Sequence, residues 1–235
     1  LVEDRPFRAP YHNVTKSSFF GGGMFPRPGE ITLAGKGVLF LDEMTEFKPE
    51  ILEGLRQPLE DKDITIVRMG RTYTYPADFM LVAAMNPCKC GYYPDRNKCS
   101  CTPAQVRAYF GRLSRPLLDR IDVCVQVPRI KYGDMVYDGK DLYTNEYMRS
   151  TVERVFNIQK ERFADEKYSL NSAIPAADVS RYCILDREAE NLMNSIYDSC
   201  DLSARGYHKL LKVARTIADI DGSEHICEAS GYRMV

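Results

Sequence analysis

The chain has 235 residues, of which 44% are apolar and 28% charged, with a formal net charge of −1. That suits one or two soluble domains with a sizeable core and excludes a protein that binds nucleic acid through bulk positive charge. No apolar run approaches the ~20 residues needed to cross a bilayer, and the opening residues Leu1 to Pro6 do not form a secretory leader. A cytoplasmic location is therefore expected, and the absence of an initiating Met reads as a fragment.

In chain order, residues 1–37 are broken by Gly21-Gly22-Gly23, Pro26, Pro28 and Gly29, which predicts a loop or hairpin-bearing insertion. Gly37-Val-Leu-Phe-Leu-Asp42-Glu43 predicts a strand buried on both faces. Ile51, Leu52 and Leu55 fall at helical spacing behind Pro49, which suits a first turn. Residues 64–75 are β-rich around Gly70 and predict a hairpin. Phe79 to Met85 reads as a second buried strand ending at Asn86-Pro87, and a helix is expected from Pro103 to about Phe110. Ile121 to Val127 alternates like a strand.

Residues 129–146, polar and containing Gly133 and Gly139, read as a linker. Thereafter the period turns helical. Val152, Val155, Phe156 and Ile158 form one stripe, and Ala189, Leu192, Met193 and Ile196 a second. Ser203 is the expected N-cap of a helix whose core stripe runs from Leu210 to Ile217. The expected organisation is an α/β core over 1–128, a linker over 129–146 and an all-helical domain over 147–235.

Four motifs bear on chemistry. Asp42 and Glu43 emerge at the carboxyl end of an apolar strand, where α/β sheets bind ligands. Nucleotide hydrolysis needs one carboxylate to hold Mg²⁺ and one to orient the attacking water, and this pair suits both roles, as in a Walker B motif. Two solvated acids at a strand end are the plainer reading. Asn86 ends the next apolar strand, where a polar side chain reaches a γ-phosphate, although Asn-Pro alone is also a turn signal. Arg120, in Leu117-Leu-Asp-Arg-Ile-Asp122, suits an arginine finger or a local ion pair with Asp119 or Asp122. Arg205 opens the late helix, as a nucleotide sensor or a solvent-facing first-turn residue.

Eight cysteines occur, and Cys88, Cys90, Cys99 and Cys101 form two Cys-x-Cys pairs. Without a leader, that clustering favours a metal site over disulfides. Four thiolates suit one tetrahedral Zn²⁺ that staples a loop (86–103) too polar to pack by itself. Free thiols, disulfides and an iron–sulfur cluster are the alternatives.

Together, Arg5-Pro-Phe-Arg-Ala-Pro10, Pro26-Arg-Pro-Gly-Glu-Ile-Thr-Leu-Ala34, Gly37-Val-Leu-Phe-Leu-Asp-Glu-Met44, Tyr75 to Cys88, Leu117 to Asp122 and Leu202-Ser-Ala-Arg-Gly-Tyr-His208 resemble the magnesium chelatase-like AAA+ family, in its competence-protein branch. The resemblance runs from about residue 5 to 233. It implies an AAA+ P-loop NTPase core, incomplete because its N-terminal βα unit is absent, followed by a helical lid. It implies Mg²⁺ and ATP as cofactors, with Asp42 the Mg²⁺ residue and Glu43, Asn86, Arg120 and Arg205 the Walker B, sensor 1, arginine-finger and sensor 2 groups. It further implies a homo-oligomeric, hexameric ring that encircles DNA, with helicase or branch-migration activity as in natural transformation.

Members also carry an upstream phosphate-binding loop. The nearest match here is Gly35-Lys36-Gly37, which has Glu30 where that loop needs Gly and Gly37 where it needs a hydroxyl. The chain alone is therefore expected to be inactive. Lys16, Arg27 and Lys36 around the glycine-rich insertion, and Arg68 and Arg71 at the hairpin turn, are the DNA-phosphate candidates. A chelatase-type motor that drives metal insertion into a tetrapyrrole and a non-catalytic zinc-stapled interaction module are the rival functions.

Overall fold

The computed structural model describes residues 4–68, 70–128, 130, 143–200 and 202–228; most of the expected 129–146 linker lies outside them. The chain divides into two compact units, Leu1–Ile121 and Asp122–Val235, just upstream of the expected end of the core at 128.

The first unit runs β1 (Phe7–Arg8), α1 (Lys16–Phe20), β2 (Gly21–Gly22), β3 (Arg27–Pro28), α2 (Glu30–Leu33), β4 (Val38–Leu41), α3 (Pro49–Gly54), α4 (Arg56–Asp61), β5 (Asp63–Arg68), β6 (Arg71–Pro76), β7 (Met80–Ala83), α5 (Pro103–Phe110) and α6 (Arg115–Leu118). β1, β4 and β7 form a parallel sheet with β4 central. Val38 pairs with Met80 and Leu41 with Ala83, so β4 and β7 end level. Gly37 permits the approach of β1, because a Cβ there would stand 1.9 Å from the Pro6 carbonyl oxygen. A bidentate pair, Arg8 Nε and Nη2 to Glu30 at 2.7 Å each, ties β1 to α2.

One sheet face carries the core. Leu39 and Leu41 are fully buried against Phe19, Ile31, Phe47, Ile51, Leu52 and Leu55, each burial worth about 1.5–3 kcal/mol. The opposite face is open. Val38 and Phe40 are half-buried, and Met80 and Val82 are 64% and 40% exposed. Neither strand is buried on both faces, as their apolar runs predicted. Among the described residues no further strand flanks β7, and no helix covers that face.

Ile121–Val127 is likewise not a strand. The segment has no ladder partner among the described residues, and Val123, Val125 and Val127 stand exposed. Alternation marked a strand's composition, but a strand also needs a neighbour.

The glycine-rich insertion folds as short helices α1 and α2 around the β2–β3 hairpin, and residues 63–76 form the second hairpin, β5–β6. α5 begins with a complete capping box between Thr102 and Gln105.

The second unit holds α7 (Asn145–Arg162), α8 (Val179–Tyr182), α9 (Arg187–Cys200) and α10 (Ala204–Asp221). Ser203 caps α10, accepting from the Gly206 amide at 3.1 Å. Ala189 and Met193 of α9 and Leu211, Ala214 and Ala218 of α10 build the core. α7 departs from its expected stripe. Val155 is buried, but Val152 is 67% exposed and Gln159 faces inward instead. The reason is a polar interior: Gln159 accepts from the Asn171 amide at 2.9 Å, and Asn171 leads to Asp219, which is bonded to Arg162 and Arg215. Burying Gln159 completes that network, and an apolar side chain would leave the Asn171 amide unsatisfied.

Candidate functional site

Because β4 and β7 are parallel and end level, residues that follow them share one end of the sheet, on strands ~4.8 Å apart. Asp42 and Glu43 leave β4 there, and Asn86 leaves β7 there; all three are exposed. The Glu43 backbone is left-handed at φ 50° and ψ 47°, uncommon for a residue with a Cβ. It is fixed on both sides. The Glu43 amide donates to Asp42 Oδ1 at 2.9 Å, and the Met44 amide donates to the Ala84 carbonyl at 2.9 Å. His12 joins the group, with Nδ1 3.6 Å from Glu43 Oε2 and its ring 4.1 Å from that of Tyr11. The position of His12 beside Glu43, thirty-one positions on in the sequence, had no local signal.

Below this pair, Thr45 is fully buried and donates to Tyr109 Oη at 2.6 Å, linking the post-strand turn to α5. Two residues beyond Asn86 the cysteine loop begins. Cys88, Cys90, Cys99 and Cys101 lie with all four sulfurs within 4.8 Å of one another. The sulfur separations are 3.3 Å for Cys88–Cys90, 3.6 Å for Cys90–Cys99 and 3.8 Å for Cys88–Cys99. Sulfurs bound tetrahedrally at ~2.3 Å from zinc would stand ~3.8 Å apart, so the donor set fits Zn²⁺. The thiols are not equivalent. A backbone hydrogen bond from Tyr92 brings Cys90 down to about 6, whereas burial pushes Cys99 up to about 11. The loop also returns over the sheet end, since a Cβ on Gly91 would stand 4.0 Å from Asn86 Oδ1.

Arg120 is engaged elsewhere. Its Nη2 pairs with Glu60 of α4, and its Nη1 donates to the Pro116 carbonyl at 2.6 Å. A local ion pair with Asp119 or Asp122 had been the plainer expectation; Glu60 is a partner sixty positions away in sequence. Nε of Arg120 is buried without a hydrogen-bond partner, and the side chain is only 17% exposed. Arg205 is exposed in the first turn of α10, in the second unit.

The phosphate candidates separate. Lys36 and Lys62 both pair with Asp78, Lys62 at 3.0 Å, beside the start of β4 and so at the end of the sheet away from Asp42. Lys36 foremost, with Lys62, holds the Asp78 carboxyl below its ordinary range. Lys16 is exposed at the start of α1, and Arg27 and Arg71 are exposed on the two hairpins. Arg68 closes β5 opposite Arg71, and its side chain lies outside the described residues.

No helix among the described residues is long and apolar enough to cross a membrane. Residues 1–135 match the family described as magnesium chelatase, subunit ChlI, and residues 143–233 match its C-terminal counterpart. The chain is 40% identical to competence protein ComM of Haemophilus influenzae over 99% of its own length and 46% of that protein's. It is 39% identical to the uncharacterised protein YifB of Escherichia coli over 98% of its length and 46% of YifB. An uncharacterised Mycobacterium tuberculosis protein, Rv2897c, is 35% identical over 94% of the chain and 44% of that protein. The chain thus spans about half the length of the curated relatives it matches. With a parallel sheet that delivers an Asp-Glu pair and an Asn to one end, and with both family matches covering nearly all of it, the chain belongs to the magnesium chelatase-like AAA+ family.

Proposed function

We propose that the full-length protein is an ATP-hydrolysing motor subunit that acts on DNA, in the manner of a helicase or branch-migration enzyme, and works as a homo-oligomeric, hexameric ring. The observation that carries the hydrolytic part is the convergence of Asp42, Glu43 and Asn86 at the level ends of two adjacent parallel strands. Exposed hard oxygen donors suit a hydrated Mg²⁺, which when bound neutralises charge on the phosphates. Asp42, whose Oδ1 accepts from the Glu43 amide, would be the residue that holds that ion. Glu43, at the same end of β4, orients the attacking water and takes its proton. Asn86 positions the same water from β7. Arg120, once released from Glu60, reaches a neighbouring subunit's nucleotide, and Arg205 contacts nucleotide from the helical unit. The four thiols hold one structural Zn²⁺ that fixes the loop beside Asn86.

The DNA part is supported by the name competence protein on one relative and by the exposed Arg27, Arg71 and Lys16. A second reading, a chelatase-type motor, draws on the description of the matched family. A third, a zinc-stapled interaction module, rests on the sulfur geometry alone. In the full-length protein, Glu43→Gln is expected to bind ATP with unchanged affinity and to hydrolyse it ~10²–10⁴-fold more slowly, the usual contribution of a positioned base. Asn86→Ala should show the same split between binding and turnover. Hydrolysis by Glu43→Gln within threefold of the parent would overturn the assignment.

A further inference from the structure

The turn that follows Glu43 is held from outside the sheet. Glu43 opens a single 3₁₀ turn, Met44–Glu46, in which the Glu46 amide donates to the Glu43 carbonyl at 2.7 Å. Met44, Thr45 and Phe47 are all buried, and Thr45 is the polar member of the three. A buried hydroxyl needs a partner, and Thr45 finds it in Tyr109 Oη, 2.6 Å away on the last turn of α5. Just beyond that helix, Arg112 Nη1 stands 3.8 Å from Glu46 Oε2, so the same end of α5 meets the turn twice.

The other end of α5 belongs to the cysteine loop. Thr102 follows Cys101 directly, and it exchanges hydrogen bonds with Gln105: the Thr102 amide donates at 2.8 Å and Thr102 Oγ1 accepts at 3.2 Å. Pro103 stiffens the first turn, and Val106 is buried on the inner face. Tyr109 comes eight positions after Cys101, which is ~12 Å of helix. A helix this short, capped at its start and anchored inside, moves as one piece. The loop therefore sits at one end of a rigid strut and the Glu43 turn at the other. The left-handed backbone of Glu43 adds a reason why the strut matters, because a residue in that region keeps its conformation only where its surroundings over-determine it.

We propose that Tyr109 is a positioning residue for Glu43, acting through Thr45, and that α5 makes the alignment of Glu43 depend on the folded cysteine loop. The inference rests on the hydrolytic reading of Glu43 above and adds what sets its alignment. A general base works only within hydrogen-bond reach of the proton it takes. A small displacement of Glu43 therefore slows turnover steeply and leaves nucleotide binding, which other groups carry, nearly untouched.

The test uses the full-length protein. Tyr109→Phe deletes one oxygen and leaves the buried Thr45 hydroxyl without this acceptor. Its kcat for ATP hydrolysis is expected to fall ~5- to 100-fold with KM within about twofold of the parent, the split left by an interaction that counts at the transition state. Thr45→Ser keeps the hydroxyl and should retain at least roughly half of the parent kcat, whereas Thr45→Val should lose as much as Tyr109→Phe. The two losses should not add in the double variant, because both remove one contact. Hydrogen exchange of the Met44–Phe47 segment reads the link to the loop without nucleotide. Exchange there should quicken ~5-fold or more in Cys99→Ser and in Tyr109→Phe, and combining the two should quicken it no further. A kcat for Tyr109→Phe within twofold of the parent, or a loss that appears in KM, overturns the positioning role and leaves the hydrolytic reading intact. Unchanged exchange of Met44–Phe47 in Cys99→Ser overturns the dependence on the loop. Parent-like hydrolysis by Glu43→Gln overturns both this inference and the reading beneath it.

Discussion

The buried carboxylate of Asp219 is the most consequential single group in the helical unit. Its side chain is 1% exposed and accepts five hydrogen bonds: Arg162 Nη1 at 2.8 Å, Arg162 Nη2, Arg215 Nε at 3.1 Å, Arg215 Nη2 at 2.9 Å and Asn171 Nδ2 at 2.8 Å. Arg215 is itself 2% exposed, although it also donates to the Ser223 and Glu224 carbonyls. Asp219→Ala therefore strands a guanidinium in the interior and removes one of the two acceptors of the Asn171 amide nitrogen. Removing one member of a buried pair costs about 3–5 kcal/mol, a large share of the ~5–15 kcal/mol that holds a domain together. Hydrogen exchange of peptides from α7 and α10 reads this directly, with protection expected to fall by at least a hundredfold. Replacing Arg215 together with Asp219, as Arg215→Met with Asp219→Leu, should recover part of the loss, because the buried Arg215 charge is gone while Arg162 is part-exposed. Protection that changes less than fivefold in Asp219→Ala would refute the reasoning.

The same carboxylate sets an acid limit. Burial pushes Asp219 up, but the hydrogen bonds from Arg162 and Asn171 and the Arg215 charge outweigh it and hold the group below its ordinary value. Its contribution is therefore full above the unfolded pKa of about 4 and is lost as pH falls through the lower folded value; helical circular dichroism should hold down to about pH 4 and decline below it. Gly37→Ala drives a Cβ to 1.9 Å from the Pro6 carbonyl oxygen and should detach β1, costing upwards of ~1–3 kcal/mol in denaturant titration. Zinc analysis of purified protein should find one ion per chain, lost in Cys99→Ser, and chelation should expose the 86–103 backbone to exchange.

Much of this organisation was written locally. The apolar run before Asp42, the Asn-Pro after Met85 and the helix from Pro103 to Phe110 each carry their signal within a few residues, and the structure shows β4, β7 and α5 in those places. The grouping of the four cysteines followed from spacing, because eight intervening residues can scarcely part the two pairs. Long-range features were not legible. Nothing near Arg120 announces Glu60, and nothing near Glu43 announces His12, since those pairings are made by tertiary folding. Val152 looked like core by periodicity, but Gln159 took the inward position because α7 meets a polar network and not an apolar one. The misjudged burial of β7 has a similar origin. An apolar strand signals that both faces want cover, and the described residues provide it on one face only.

The most direct measurement is the ATPase rate of the full-length protein with and without forked DNA, beside Glu43→Gln. The account predicts hydrolysis that DNA stimulates several-fold and that the substitution abolishes in both conditions. Hydrolysis indifferent to DNA would contradict the DNA motor and favour the chelatase-type reading. No hydrolysis at all would contradict the catalytic assignment of Asp42, Glu43 and Asn86.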